Sequence, residues 1–152
     1  MNTDYEINKN TLALIPRGKT QTKVYEEDKE IIIMKTPFQI IEDSCRYFGS
    51  SYLGRFEGTK AMVGYNYKAP IIIEESNKII FFPTSSPRLS DCAWLSLNNI
   101  KNYVKTEKKC SIVLKNDKKI KINISFNTLE NQILRATKLW CALEKNCRKF
   151  TD

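Results

Sequence analysis

The chain contains no histidine, and that gap removes much of the usual enzymology. Histidine is the commonest general base, and without it neither a Ser-His nor a Cys-His nucleophile can be assembled. Lys, Asp and Glu remain as acids and bases, yet no G-x-S-x-G elbow, H-E-x-x-H helix or Walker loop is present. Glycine is scarce, with five residues, and Gly49-Ser-Ser-Tyr-Leu-Gly54 lacks the spacing and the terminal Lys-Ser or Lys-Thr of a phosphate loop. The chain therefore reads as a non-enzyme without a cofactor. Membrane-length apolar runs are missing too. Stretches such as Ile71-Ile72-Ile73 and Ile79-Ile80-Phe81-Phe82 are far too short to span a bilayer. No C-x-x-C pair occurs among the five cysteines, Cys45, Cys92, Cys110, Cys141 and Cys147. Their wide separation does not supply the clustered ligands of a structural zinc site, so no metal site is expected. Buried thiols in a reducing cytoplasm are the ordinary alternative. Met1–Glu6 is polar and acidic, without the basic and apolar regions of a secretory signal, which makes an intracellular location the default.

The 152 residues suit one domain and are 41% hydrophobic and 28% charged, which excludes a wholly disordered chain. A chain of this size buries roughly two-thirds of its unfolded surface. The net charge of +8 is unevenly placed. Residues 1–75 hold 10 basic and 11 acidic side chains, and residues 76–152 hold 15 and 6. A strongly basic half is the footprint of a polyanion partner, most often nucleic acid.

Local patterning predicts a strand-rich α+β domain. Thr11–Ile15 reads as a strand stopped by Pro16 and turned at Gly18, followed by strands at Thr22–Glu26 and Glu30–Met34. A helix over 36–48 begins sharply: Thr36 caps, Pro37 takes the first position, and Gln39 completes a capping box. Phe38, Ile41, Cys45 and Phe48 share one face, Ile40 and Tyr47 widen it, Arg46 lies beside it, and Gly49 closes the helix. Residues 50–59 read as a semi-ordered connection, with strands at 60–67, 71–74 and 78–82 and a loop over 83–92. Farther on, Trp94–Leu97 and 100–106 read as extended, and Ser111–Lys115 and Lys119–Ile124 form a hairpin around Asn116-Asp117-Lys118. Ile120, Ile122 and Ile124 alternate with Lys119, Lys121 and Asn123, so the lysines face outward. A second helix over 127–146 is expected, capped by Asn127 with Glu130 in its first turn. Leu129, Ile133, Ala136, Trp140, Leu143 and Cys147 form its apolar stripe, which covers the sheet or meets a partner subunit, the core being the expected destination. Lys145, Arg148 and Lys149 crowd its end, where the helix dipole favours positive charge.

The common DNA-binding modules are absent: no zinc-finger spacing, no zipper and no trihelical unit. Basic residues on strands and loops suit phosphate contacts or minor-groove reading. Tyr65, Tyr67 and Lys68, and Tyr103 with Lys105, interleave aromatics with positive charge, which also suits single strands. Composition alone leaves duplex DNA, RNA and single strands open.

Five stretches narrow the choice. Glu42-Asp-Ser-Cys-Arg-Tyr-Phe-Gly-Ser-Ser-Tyr-Leu-Gly-Arg55, Lys68-Ala-Pro-Ile71, Phe81-Phe-Pro-Thr84, Trp94-Leu-Ser-Leu97 and Ile124-Ser-Phe-Asn-Thr-Leu-Glu-Asn-Gln132 stand in one order along the chain. Together they resemble the bacterial competence transcription factor family, ComK, from about Tyr5 to about Lys145. Ala69-Pro70 replaces the Pro-Pro pair common in that family, and the longer C-terminal tail of its best-known member is missing. The resemblance implies a cytoplasmic DNA-binding activator of DNA-uptake and recombination genes. It implies recognition of paired AT-rich boxes, largely through the minor groove, by a homodimer or higher even oligomer that recruits RNA polymerase. It also raises control by an adaptor and an AAA+ protease, a link the missing tail puts in question. The candidate nucleic-acid contacts are Arg46, Arg55, Lys60, Arg88, Lys119 and Lys121. The alternative is a short, non-activating paralogue that modulates a full-length relative through an interface including Trp140 and Leu143.

Overall fold

The computed structural model of the chain describes residues 2–151, with side chains through Asn146. The expected stripe member Cys147 and the basic pair Arg148 and Lys149 have side chains outside the described residues. The architecture is mixed α+β, as expected. Strands β1 (Thr11–Arg17), β2 (Gln21–Glu26) and β3 (Glu30–Ile33) lead into helices α1 (Pro37–Tyr47) and α2 (Tyr52–Val63). Strands β4 (Ile71–Glu74), β5 (Ile79–Pro83) and β6 (Trp94–Ser96) follow, then β7 (Ile100–Lys105), β8 (Cys110–Leu114), β9 (Lys119–Ile122) and α3 (Phe126–Thr151).

Six strands in the order β3-β2-β1-β6-β5-β4 make an antiparallel sheet that is the middle layer of the molecule. Its apolar runs are continuous because both faces are covered, and the period of two then sorts neighbours to opposite sides. Ile71, Ile73, Ile79, Phe81 and Trp94 join the core beneath α1, whereas Ile72, Ile80, Phe82 and Leu95 join the core on the other side. That second core is closed by α3 and by the three-stranded sheet β7-β8-β9. Fully burying one such Phe or Ile contributes roughly 1.5–3 kcal/mol, so the two cores dominate the stability of the fold.

The start of α1 is as predicted. Thr36 Oγ1 accepts from Gln39 N at 3.2 Å, and Gln39 Oε1 accepts from Thr36 N at 2.8 Å. The helix ends with Gly49 in the left-handed region at φ 87°, where Gly49 N donates to Arg46 O and Ser50 N to Cys45 O. Tyr47 departs from its expected place in the packed stripe. It is 66% exposed and meets only the edge of Phe48 among described ring neighbours.

Residues 52–63 form a helix, which corrects the expected connection and the expected strand at 60–67. Gly54 and Gly58 weaken helix propensity, and the segment has no clear apolar stripe, so local pattern pointed elsewhere. Tertiary contacts supply what propensity lacks. Ser51 Oγ caps Gly54 N at 2.9 Å, Glu42 of α1 accepts from Tyr52 N at 2.6 Å, and Thr59 donates to Pro70 O at 2.6 Å. Tyr52 and Phe56, one helical turn apart, pack into the core around Trp94, while Met62 and Val63 reach the core on the other side. Helix α2 thus wraps the β4 end of the middle sheet.

Two boundaries also move. Pro16 does not stop β1, which runs on to Arg17 before Gly18 turns at φ 64°. Within β1, only Ala13 and Leu14 pair with β6, so the missing N–H of Pro16 interrupts no ladder on that side. Helix α3 begins at Phe126, not after an Asn127 cap, because Ser125 Oγ accepts from Thr128 N at 3.1 Å.

Candidate nucleic-acid interface

The three-stranded sheet has one apolar and one basic face. Register sets Tyr103, Ile112 and Ile120 in a row on the inner face, and Cys110 beside Ile122. Tyr103 lies 5.5 Å, ring to ring, from Phe126 at the start of α3. The opposite face carries the rows Asn102–Val113–Lys119 and Val104–Ser111–Lys121. Lys119 and Lys121 are exposed while Ile120 and Ile122 are buried, as alternation predicted. No carboxylate lies within ion-pair distance of Lys105, Lys108, Lys109, Lys115, Lys119 or Lys121 among the described residues, so their charge faces solvent.

Two lysines of this region are committed elsewhere. Lys101 pairs with Asp117 at 2.5 Å, across the turn that Asp117 forms in the left-handed region at φ 68°. Lys118 pairs with Glu30 at 3.0 Å, which also takes Lys23 at 2.9 Å. Hydrogen bonds from Lys23 and then Lys118 hold the Glu30 carboxyl below the usual carboxylate range. Asn116 adds hydrogen bonds from its amide to Glu26 O and Glu27 O, so the β8–β9 turn is docked on the β2–β3 turn.

The arginines singled out from sequence sit differently. Arg46, on α1, is exposed, but its Nε and Nη2 both lie 2.8 Å from the Glu42 carboxylate one turn earlier. Arg55 lies on helix α2. Its side chain is only 15% exposed and Nη1 contacts Glu75 at 2.6 Å, while its Nε is buried without a partner among the described residues. Lys60 is exposed on α2. Arg88, in the β5–β6 loop, is exposed and lies 4.9 Å from the centroid of Phe38 on α1. The six therefore do not converge: Arg46 and Arg88 lie on the α1 side of the middle sheet, and Lys119 and Lys121 on the opposite side. Of the two residues considered for a partner interface, Leu143 is 4% exposed and packed in the protein's own core, and Trp140 is half-buried against it. Leu129, Gln132, Ala136, Leu139 and Leu143 make the buried face of α3, so its stripe covers the sheet.

Sequence reasoning missed a polar cluster on α3. Gln132 is 2% exposed, and it and Arg135 bind the backbone of the loop between α2 and β4. A glutamine on the core-facing side of an otherwise apolar stripe was the available signal. Among the described residues no group of three His, Cys, Asp or Glu side chains could hold a metal ion, and no helix is long and apolar enough to cross a membrane.

The geometry defines a class: a small α+β protein that turns a basic sheet face to solvent. The chain matches the family model described as ComK protein over residues 2–148 and belongs to that family. It is also 38% identical over 135 residues to the competence transcription factor of Bacillus subtilis (strain 168), covering 86% of this chain and 70% of that relative. No solved structure matches the fold.

Proposed function

We propose that the chain is a cytoplasmic activator of competence genes that binds AT-rich duplex DNA, largely through the minor groove. The coarser role, a DNA-binding transcriptional regulator of competence genes, follows from family membership. The observation that supports duplex binding is the unneutralised lysine face of β7–β9, headed by Lys119 and Lys121, while the AT-rich, minor-groove part of the reading rests on the family resemblance. Ammonium groups on a rigid sheet meet phosphate oxygens without base selectivity, so they fix orientation and leave sequence reading to other groups. Lys60 is a further phosphate contact in this reading, whereas Arg88, on the α1 side of the middle sheet, lies away from the lysine face. Arg46 and Arg55 join only if DNA displaces Glu42 and Glu75 from them. A two-fold dimer repeats the same patch, and two such patches on paired boxes convert weak contacts into one tight engagement. RNA polymerase is the proposed partner at the promoter.

A fluorescence titration of AT-rich and GC-only duplexes over a salt series tests the assignment. Tighter binding to the AT-rich duplex and a steep loss of affinity with salt are expected. Equal affinity for both duplexes at every salt concentration would remove the reading. Footprinting on paired boxes should show both protected together, with cooperativity lost when one box moves by about half a helical turn.

A further inference from the structure

The loop joining α2 to β4 is built to hold one conformation. Gly64 ends α2 at φ 81°, and four residues later Lys68 takes φ 49°, a left-handed conformation uncommon for a side-chain-bearing residue. Helix α3 locks the segment from behind. Gln132 Nε2 donates to Lys68 O at 3.0 Å and to Pro83 O at 2.8 Å. Its Oε1 accepts from Arg135 Nη1 at 2.7 Å, and Arg135 Nη2 donates to Tyr67 O at 2.6 Å. The same guanidinium lies 4.4 Å from the Tyr65 ring centroid. Arg135 has no carboxylate within ion-pair distance among the described residues, and partial burial lowers its pKa. A cation is thus partly desolvated in order to fix a surface loop.

What this scaffold presents is Tyr67, 63% exposed, with the Lys68 ammonium 5.3 Å from its ring centroid and the exposed Asn66 beside it. A large aromatic left in water on a braced backbone, flanked by an amide and a cation, has little left to lose in entropy when it binds. We propose that Tyr65–Lys68 is the base-contacting element of the DNA interface. Tyr67 presses its ring into the minor groove, the Asn66 amide donates to the adenine N3 and thymine O2 acceptors there, and Lys68 meets a flanking phosphate. A groove about 6 Å wide admits a loop-borne ring but not a helix, and it displays acceptors that an amide N–H can satisfy. This assignment rests on the duplex-DNA reading above and supplies the selectivity that the lysine face lacks. Arg135 and Gln132 are positioning residues.

The test uses the full chain and compares AT-rich with GC-only duplex over a salt series, with thermal unfolding of each variant as a control. Tyr67→Ala should lose about tenfold on AT-rich duplex, with GC-only affinity and the salt slope unchanged. Tyr67→Phe should retain the wild-type preference. Lys68→Gln should lower the salt slope by about one phosphate contact. Arg135→Met, which frees the loop but leaves Tyr67 in place, should lose part of the AT preference. If the wild type prefers AT-rich duplex and Tyr67→Ala prefers it equally, or loses affinity equally for both duplexes, the loop assignment is wrong and the duplex reading survives. If the wild type shows no AT preference, the duplex reading fails first and the loop assignment falls with it.

Discussion

The helical shoulder of α1 and α2 and the sheet β7–β9 both carry basic side chains, but they dispose of the charge in opposite ways. On the shoulder, Arg46 and Arg55 each hold a carboxylate, from Glu42 and Glu75. On the sheet, Lys119 and Lys121 face outward without one among the described residues. A count of charges along the chain already sets the basic second half apart, but it does not say which of its cations are paired internally. What a polyanion meets is the charge left after internal pairing, and among the described residues that remainder includes Lys105, Lys115, Lys119 and Lys121 in the sheet region against Lys60 on the shoulder.

Reversing the sheet lysines should have the largest effect on binding. Lys119→Glu with Lys121→Glu is expected to weaken duplex binding on the order of 100-fold at about 0.1 M salt and to lower the salt slope by about two. Arg46→Ala should stay within about twofold in the same titration. A large loss from Arg46→Ala with little from the double reversal would invert the comparison.

Arg55 should report on stability before binding. Its stem and guanidinium are mostly buried, so Arg55→Ala removes packing as well as the Glu75 contact, and a loss of about 1–2 kcal/mol is expected in urea unfolding. The folded fraction should bind DNA as the wild type does.

The junction between the two halves of the chain offers a smaller, pH-dependent effect. Glu30 is held below its ordinary value of 4.5 by Lys23 and Lys118. The native state then binds fewer protons than the unfolded chain near that value. Glu30 therefore stabilises fully above the ordinary carboxylate pKa, and the contribution disappears as pH falls through the lowered one. Glu30→Gln should flatten this part of the acid limb of a stability–pH curve; an unchanged limb would show that the pairs contribute nothing in solution.

The subtlest test probes the interior beneath the shoulder. Burial pushes the Cys45 thiol from 9.0 up to about 12. Above pH 9 the unfolded chain loses that proton while the native state keeps it, so stability should decline as pH rises through this window. Cys45→Ala should remove part of the decline. Under native conditions, mass spectrometry after thiol alkylation should find Cys141 modified and Cys45, Cys92 and Cys110 protected.

Much of the fold was legible where local and global preferences agree. The Thr36-Pro37-Gln39 start of α1, the Gly49 stop and the alternating Lys119–Ile122 strand all appear as read. Helix α2 was not legible, because two glycines and a weak stripe mask a segment held by Glu42, Pro70 and the Trp94 aromatic cluster. Of the candidate contacts, the lysines of β9 could be placed by a period of two and Glu42 stands four residues before Arg46 on the predicted helix, whereas the partner of Arg55 could not be assigned. For Arg55 the partner is Glu75, twenty residues away.

By itself the sequence determined the class of the protein: α+β, histidine-free, basic in its second half, with family stretches along nearly its whole length. It also determined the strands buried on two faces, since a run such as Ile79–Phe82 leaves no polar side to expose. Only the tertiary structure decided which charges remain free, that Leu143 belongs to the core, and that Gln132 and Arg135 brace the Tyr67 loop. The physical reason is range. Periodicity and capping act over one or two turns of chain, whereas ion pairing, burial and side-chain-to-backbone locks join residues that folding alone brings within 3 Å, such as Gln132 and Lys68.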